Sequence, residues 1–329
     1  MDQRNSHETN SEISIHVDRV GRAYGFSLWP LATKNPTLRE EIFLILMFIT
    51  MALSLDIILG FTGYVNFGHI VFFGLGGYMG IYVMSKLHWG IFPAMLIGGI
   101  SASLLAFLLG LVILRLRGAY FALATIGINE MMLAFVANFQ PFGAGTGMVL
   151  NFRVYKMYGG PGKALWMAYT LLVAVTLIAF IAVFAIEKSK FGLGLMVIRE
   201  DEDAAMVMGI PTPTFKNLAY TASAFLPGVL GVLYFFKNGN IEPGEAFNLE
   251  MSIEVLVMIM LGGFGTVSGP IIGAALYEEI RSYLIVNPLL QSMHLVIAGL
   301  LLLAIILFVP VGVVGWVRQR IPSVRRYLE

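Results

Sequence analysis

The stretch 164–186, ALWMAYTLLVAVTLIAFIAVFAI, decides the fold class. It holds no Asp, Glu, Lys or Arg. It is also long enough to cross ~30 Å of hydrocarbon, which takes about 20 residues of helix. Two further runs, 91–114 and 218–236, share both properties. The 329 residues as a whole are 58% hydrophobic and 12% charged, with a mean hydropathy of +0.81. Soluble domains carry roughly 25% charged residues and 45–50% apolar ones, so the chain belongs in a membrane. A net charge of +1 gives no sign of a nucleic-acid partner. With no Cys, disulfides and thiolate metal sites are excluded. Residues 1–41 lack a compact apolar core before a small-residue cleavage site, so no signal peptide is expected.

Working outward from 164–186, nine candidate spans emerge, at roughly 42–60, 66–86, 91–114, 118–137, 164–186, 218–236, 251–267, 270–286 and 292–316. The expected fold is an all-α polytopic membrane protein of about nine spans (8–10), some of them broken or re-entrant. Its parts are a polar tail 1–41, a membrane domain 42–317 with a polar loop 187–217, and a basic tail 318–329. Arg115 and Arg117, the cations of 187–217, and Arg318, Arg320, Arg325 and Arg326 fall on one side if the spans alternate. Cytoplasmic loops are rich in Lys and Arg, so that side is expected to be cytoplasmic. Loop 138–163, with turn-forming Gly runs at 143–147 and 159–162, is then external. The same alternation puts the five Lys/Arg of residues 1–41 outside. Either that is so, or residues 24–35 dip into the membrane, or one Gly-rich segment is re-entrant.

Two places break the helical pattern, Gly60-Phe61-Thr62-Gly63-Tyr64-Val65-Asn66-Phe67-Gly68-His69 and Gly262-Gly263-Phe264-Gly265-Thr266-Val267-Ser268-Gly269-Pro270. Irregular backbone survives at membrane depth only where protein or a wet cavity covers it. Paired Gly interruptions point to a translocation path, and tight surface turns are the plainer alternative. Gly76 with Gly80, and Gly269 with Gly273, stand four apart, which suits close helix packing within the chain.

Ionisable residues inside the apolar spans are few: Asp56, His69, Glu130, Glu254, Glu278, Glu279, Arg281 and His294. A charge at mid-bilayer costs at least about 2.5–3.5 kcal/mol, so each must pair, face a cavity or sit near an interface. Glu254, Glu278, Glu279 and Arg281 are expected near an interface. Asn129 and Thr125 are positioned to hydrogen-bond Glu130. Asp56, one turn before the first break, is the best candidate to touch a path. The two histidines are expected to be ordinary hydrogen-bonded residues.

The polar loop reads EKSKFGLGLMVIREDEDAAMVMGIPTPTFKN over 187–217. Glu200, Asp201, Glu202 and Asp203 suit a helix N-terminus, where the dipole is positive. Gly209, Pro211 and Pro213 make a strong stop. Between them lies a small, smooth apolar surface, Ala204-Ala205-Met206-Val207-Met208. Such a helix fits a partner's groove. Its acidic turn argues against resting on anionic headgroups.

Asp203-Ala204-Ala205 followed after three residues by Gly209 resembles the first half of the loop by which bacterial importer permeases engage their ATPases. The second half, an Ile-x-Leu-Pro tail, is absent. Longer strings resemble the branched-chain amino acid ABC permease family of the LivM type. They are 68–76, 116–123, 198–205 with 208–210, and 252–254 with 261–270. The resemblance covers roughly 42–290. It implies a binding-protein-dependent permease, in an inner or plasma membrane, with a cytoplasmic C-terminus. Its partners would be a sister permease, two cytosolic ATPases and a periplasmic or lipid-anchored binding protein. The implied ATPase-coupling residues are Arg199, Glu200, Glu202, Asp203, Ala204, Ala205, Met208 and Gly209. Candidates for the path are Asp56, Gly63, Asn66, Gly68, His69, Glu130, Gly262, Gly263, Gly265, Thr266, Ser268 and Gly269. Relatives often carry Asn where Asp56 stands, which leaves urea, short amides and other small acids open beside branched-chain amino acids.

No phosphate-binding loop is present, since Gly162-Lys163 lacks both the upstream Gly and the hydroxyl residue. The chain is therefore not expected to be an ATPase or other enzyme, and no cofactor or metal is expected. An ion-coupled secondary transporter using Asp56 or Glu130 is the rival class.

Overall fold

A computed structural model describes residues 35–286, 296–297, 299–300, 303 and 312–320. Most of the tail 1–41, His294, most of the candidate span 292–316 and residues 321–329 lie outside the described residues. Helices occupy Pro36–Thr62 (α1), Ile70–Lys86 (α2), Ile91–Ile113 (α3), Ala119–Asn138 (α4), Phe152–Lys156 (α5), Pro161–Glu187 (α6) and Lys190–Glu200 (α7). They continue at Glu202–Val207 (α8), Thr212–Asn238 (α9), Pro243–Ala246 (α10), Leu249–Gly262 (α11), Ser268–Val286 (α12) and Gly312–Arg320 (α13). The chain is an all-α polytopic membrane protein. Its one departure among the described residues is a two-residue antiparallel ladder, β1 (Met148–Val149) with β2 (Asn240–Ile241).

Six described helices are long and apolar enough to cross a membrane: α1, α2 with the tight turn Phe67–His69 before it, α3, α4, α6 and α9. Local signals set their ends. Asn35 accepts from the Thr37 and Leu38 amides and Pro36 supplies a preset φ, so α1 starts before the expected residue 42. Gly63 ends it with φ 75°. Gly239, φ 80°, ends α9 in the same way.

The crossing expected at 251–267 has a different form. α11 has 14 residues. At 1.5 Å per residue that is ~21 Å, short of the ~30 Å core. The chain makes up the length by running back along α2 from β2. Ile241 lies against Gly77, and Phe247 lies against Gly74. The Ile70 amide donates to Ser252 Oγ at 3.1 Å. This is irregular backbone at depth, and α2, α4 and α9 cover it.

α1 is the central helix, 83% buried over its most apolar window, whereas α4 is 28% buried over its own. Where α2, α3 and α9 meet, a Cβ on Gly228 would fall 2.6 Å from the Ala102 Cβ, and Gly76 and Gly98 crowd the same spot. Only glycine lets these three backbones approach so closely. Gly80 lies against Val232 and Gly273 against Met258, so both small-residue pairs noted in the sequence pack inside the chain.

Successive crossings alternate between two faces. On the loop face, the Ile91 amide donates to Tyr158 Oη at 2.7 Å, Tyr155 donates to the Phe236 carbonyl at 2.7 Å, and Lys237 pairs with Glu40 at 2.7 Å. On the island face lie residues 114–117, 199–216 and the start of α13, whose Gly312 abuts Gly263.

Three of the charged residues expected near an interface pair with one another across α11 and α12. Arg281 Nε donates to Glu254 Oε1 at 3.0 Å, and Nη1 to Glu278 Oε1 at 3.3 Å. Its guanidinium stands 5.7 Å from the ring centroid of Phe48, halfway along α1. Glu254 and Glu278 are buried, and Arg281 bonds Oε1 of each, while Glu278 Oε2 is buried with no partner.

Candidate functional site

The two glycine breaks meet. Asp56, fully buried in α1, accepts the Gly265 amide through Oδ1 at 3.0 Å and Oδ2 at 3.2 Å. Gly60 and Gly265 touch backbone to backbone. Asn66 caps the turn after the first break by accepting the Gly68 amide at 3.0 Å. Gly68 itself lies against the Thr125 carbonyl, and the Phe67 amide donates to Thr125 Oγ1 at 3.1 Å. His69 is buried, with Nε2 3.0 Å from Ser54 Oγ and its ring edge-on to Phe72. In the second break, Thr266 Oγ1 bonds the Gly263 carbonyl at 3.3 Å and accepts the Gly269 amide at 3.1 Å. Gly262 and Gly269 are in backbone contact, and Ser268 Oγ is buried with no partner. Asp56 and Asn66 are thus enclosed by this chain.

Glu130 stands apart from this group. It is exposed on the outer face of α4 beside Leu123, Gly127 and Met131. The two residues expected to bond it face inward: Asn129 donates to the Phe247 carbonyl at 3.0 Å, and Thr125 serves Phe67.

The polar loop folds as α7 and α8 on the island face. Asp201 caps α8 by accepting the Asp203 and Ala204 amides at 2.9 and 3.0 Å. Gly209 ends it with φ 87°, and the Ile210 amide reaches back to the Ala205 carbonyl at 3.0 Å. The helix has an inner and an outer side. Ala205 is fully buried, whereas Ala204, Val207, Met208 and Gly209 are exposed and Val207 is 89% so. The exposed surface of α8 therefore centres on Val207 and Met208, not on Ala205.

Glu202 fastens the inner side. Lys216 Nζ donates to Glu202 Oε1 at 2.7 Å, to the Leu114 carbonyl at 2.8 Å and to Tyr64 Oη at 2.9 Å. Tyr64 donates to Glu202 Oε2 at 2.8 Å. Arg117 adds a two-pronged bond to Asp203, at 2.8 and 3.0 Å, and its hydrogen bonds and charge hold that carboxyl below its ordinary value. Arg199, in the last turn of α7, donates to the Gly60 carbonyl at 2.7 Å, while Glu200 points outward. The island is thus tied directly to the first break.

Sequence reasoning missed Lys216, Tyr64 and Arg117 as anchors, and Val207 as the most open residue. Position 207 lies three after Ala204, so helical spacing could have found it. Lys216, a cation at the edge of an apolar run, gave only an ambiguous signal.

A family described as branched-chain amino acid transport system / permease component matches residues 40–306. The high-affinity branched-chain amino acid transport system permease protein LivM of Escherichia coli (strain K12) is 25% identical over 301 residues, covering 84% of this chain and 70% of the relative. LivM of Salmonella typhimurium (strain LT2) is 24% identical over 284 residues, covering 79% and 66%. The autoinducer 2 import system permease protein LsrC of Yersinia enterocolitica is 27% identical over 147 residues, covering 44% and 39%. No solved structure matches the chain.

Proposed function

The chain belongs to the family of branched-chain amino acid transport system permease components, and from that premise we propose that it is the membrane subunit of an ABC importer for branched-chain amino acids. It works beside a sister permease, two cytosolic ATPases and an external binding protein. The C-terminus and island 187–217 are cytoplasmic. The observation that carries this reading is the two-sided α8. Its inner side is anchored through Glu202 and Lys216, and its outer side offers Val207 and Met208 to a groove. ATP-driven movement of the partners shifts α7 and α8. The packed spans carry that shift to the meeting point of the two breaks as a rigid-body rearrangement. The exposed Glu130 supports a protein cover on α4, supplied by the sister permease, because lipid there would cost at least about 2.5–3.5 kcal/mol. The ion-coupled alternative has less support, since Asp56 is occupied by the Gly265 amide. LsrC relatives and Asp56 keep other small solutes within reach of the family.

The test is Val207→Arg, alone and with Met208→Asp, in the complete transporter. Membrane insertion is expected to persist, while co-purified ATPase and leucine uptake are both lost. Normal uptake by a well-expressed double variant would refute the docking face.

A further inference from the structure

Arg199 stands where the island and both glycine breaks come together. Its Nη1 donates to the Gly60 carbonyl at 2.7 Å. That carbonyl is one of the acceptors left open at the end of α1, because the Gly63 amide closes the final turn on Leu59. A guanidinium there also faces the negative end of the α1 dipole. The same side chain fills space that two glycines leave free. A Cβ on Gly265 would fall 2.7 Å from Nη1, and one on Gly63 would fall 3.1 Å from Cγ. The guanidinium lies 5.9 Å from the Phe264 ring centroid. Asp56 completes the joint from the other direction by accepting the Gly265 amide. The end of α1, the turn 263–267 and the end of α7 therefore converge on one side chain, and that side chain comes from the island.

Resting on the importer reading above, we propose that Arg199 is a positioning residue for transport, latching the α7–α8 element to both glycine breaks. A displacement of α7 by more than a hydrogen-bond length releases the Gly60 carbonyl. It also withdraws the packing that holds Gly265 against α1. Lys is a partial substitute, because a point-charge ammonium can reach the carbonyl but cannot present a flat face to Gly265 and Phe264 as well.

Two measurements test the latch on the full chain, which contains no Cys to interfere. The first uses Thr266→Cys as a reporter, labelled from the island side with an impermeant maleimide in membrane vesicles. Arg199→Ala is expected to raise the labelling rate about tenfold, the population shift that follows loss of one charge-assisted hydrogen bond. Arg199→Lys recovers part of the protection, and Lys190→Ala, exposed on the same face, leaves it unaltered. The second measures uptake per ATP in the reconstituted complex. Arg199→Ala keeps its ATPases and their hydrolysis but moves about tenfold less substrate per ATP, with partial rescue by Arg199→Lys. An unchanged labelling rate overturns the latch, whatever uptake does. Loss of ATPase co-purification in Arg199→Ala also overturns it, since Arg199 would then be a docking residue. Failure of the wild-type chain to bind any ATPase sinks the importer reading alone, and the labelling result still judges the latch.

Discussion

Replacing Lys216 with Met should loosen the island face more than any other single change there. The Lys216 side chain is 3% exposed and that of Glu202 is 14% exposed, so their 2.7 Å bond is shielded from water. Met keeps the length and bulk but removes one charge and three donors. The Leu114 carbonyl, just past the end of α3, would be left without its donor, at about 1–3 kcal/mol. Glu202 would become a half-orphaned buried carboxylate. Removing one partner of a buried pair costs about 3–5 kcal/mol. Arg117 remains 3.5 Å from Glu202, which puts the expected loss at the lower end. A loss of ~3 kcal/mol raises the open population of α8 roughly a hundredfold. Ala205→Cys reports that opening, because position 205 is fully buried when α8 is seated. Its modification by an impermeant thiol reagent should speed up roughly a hundredfold in Lys216→Met. The double change Lys216→Met with Glu202→Leu removes both charges and should be milder than Lys216→Met alone. A rate within threefold of the parent, or a double variant more open than the single one, would refute the assignment of a buried pair.

Gly228→Leu should lower detergent thermal stability by at least about 1–3 kcal/mol, because a side chain there meets Gly98 and Ala102 of α3 directly; Gly127→Leu, with open space around it, should not. Glu130→Leu should insert and fold normally yet reduce recovery of the sister permease in pull-downs, and undiminished recovery would mean that α4 faces lipid. The bond from Arg117 to Asp203 should be insensitive to pH over the neutral range. Because the folded-state pKa of Asp203 is lowered, its contribution is complete above the unfolded value of about 3.9 and fades only as pH falls through the lowered one. Fluorescence of a Val207→Trp reporter should therefore stay flat down to about pH 5, and a midpoint near pH 6–7 would contradict the pairing.

The membrane class and six of the long helices were legible because an uncharged run of membrane-spanning length has few other uses. The irregular crossing at 240–262 was not. Its outer half, around Pro243–Ala246, carries Glu242 and Glu245 and reads as an ordinary polar loop, and only its packing against α2 gives it depth. Glu254 and Arg281 looked interfacial because each sits near the end of an apolar run. Their pairing across two helices is a tertiary fact that no local pattern encodes. The two glycine breaks were visible as breaks, but their meeting at Asp56 and Gly265 was not. Arg199 was noted as part of the coupling motif, while its reach to Gly60 depends on how α7 docks. Within α8 the cap, the stop and the helix were all readable, and the choice between Ala205 and Val207 as the outward residue was not.

The bond between Asp56 and Gly265 joins residues 209 positions apart. A ribosome adding ~5–20 residues per second needs about 10–40 s to make that interval. Throughout that time α1 is already made, and the Asp56 carboxyl has no amide to hold. The Ile70 amide waits almost as long for Ser252, 182 residues downstream. The nascent protein is therefore a set of inserted helices with polar vacancies, and its closing segment arrives late in synthesis. Chains that end near residue 240 contain neither Ser252 nor Gly265 and so keep both vacancies.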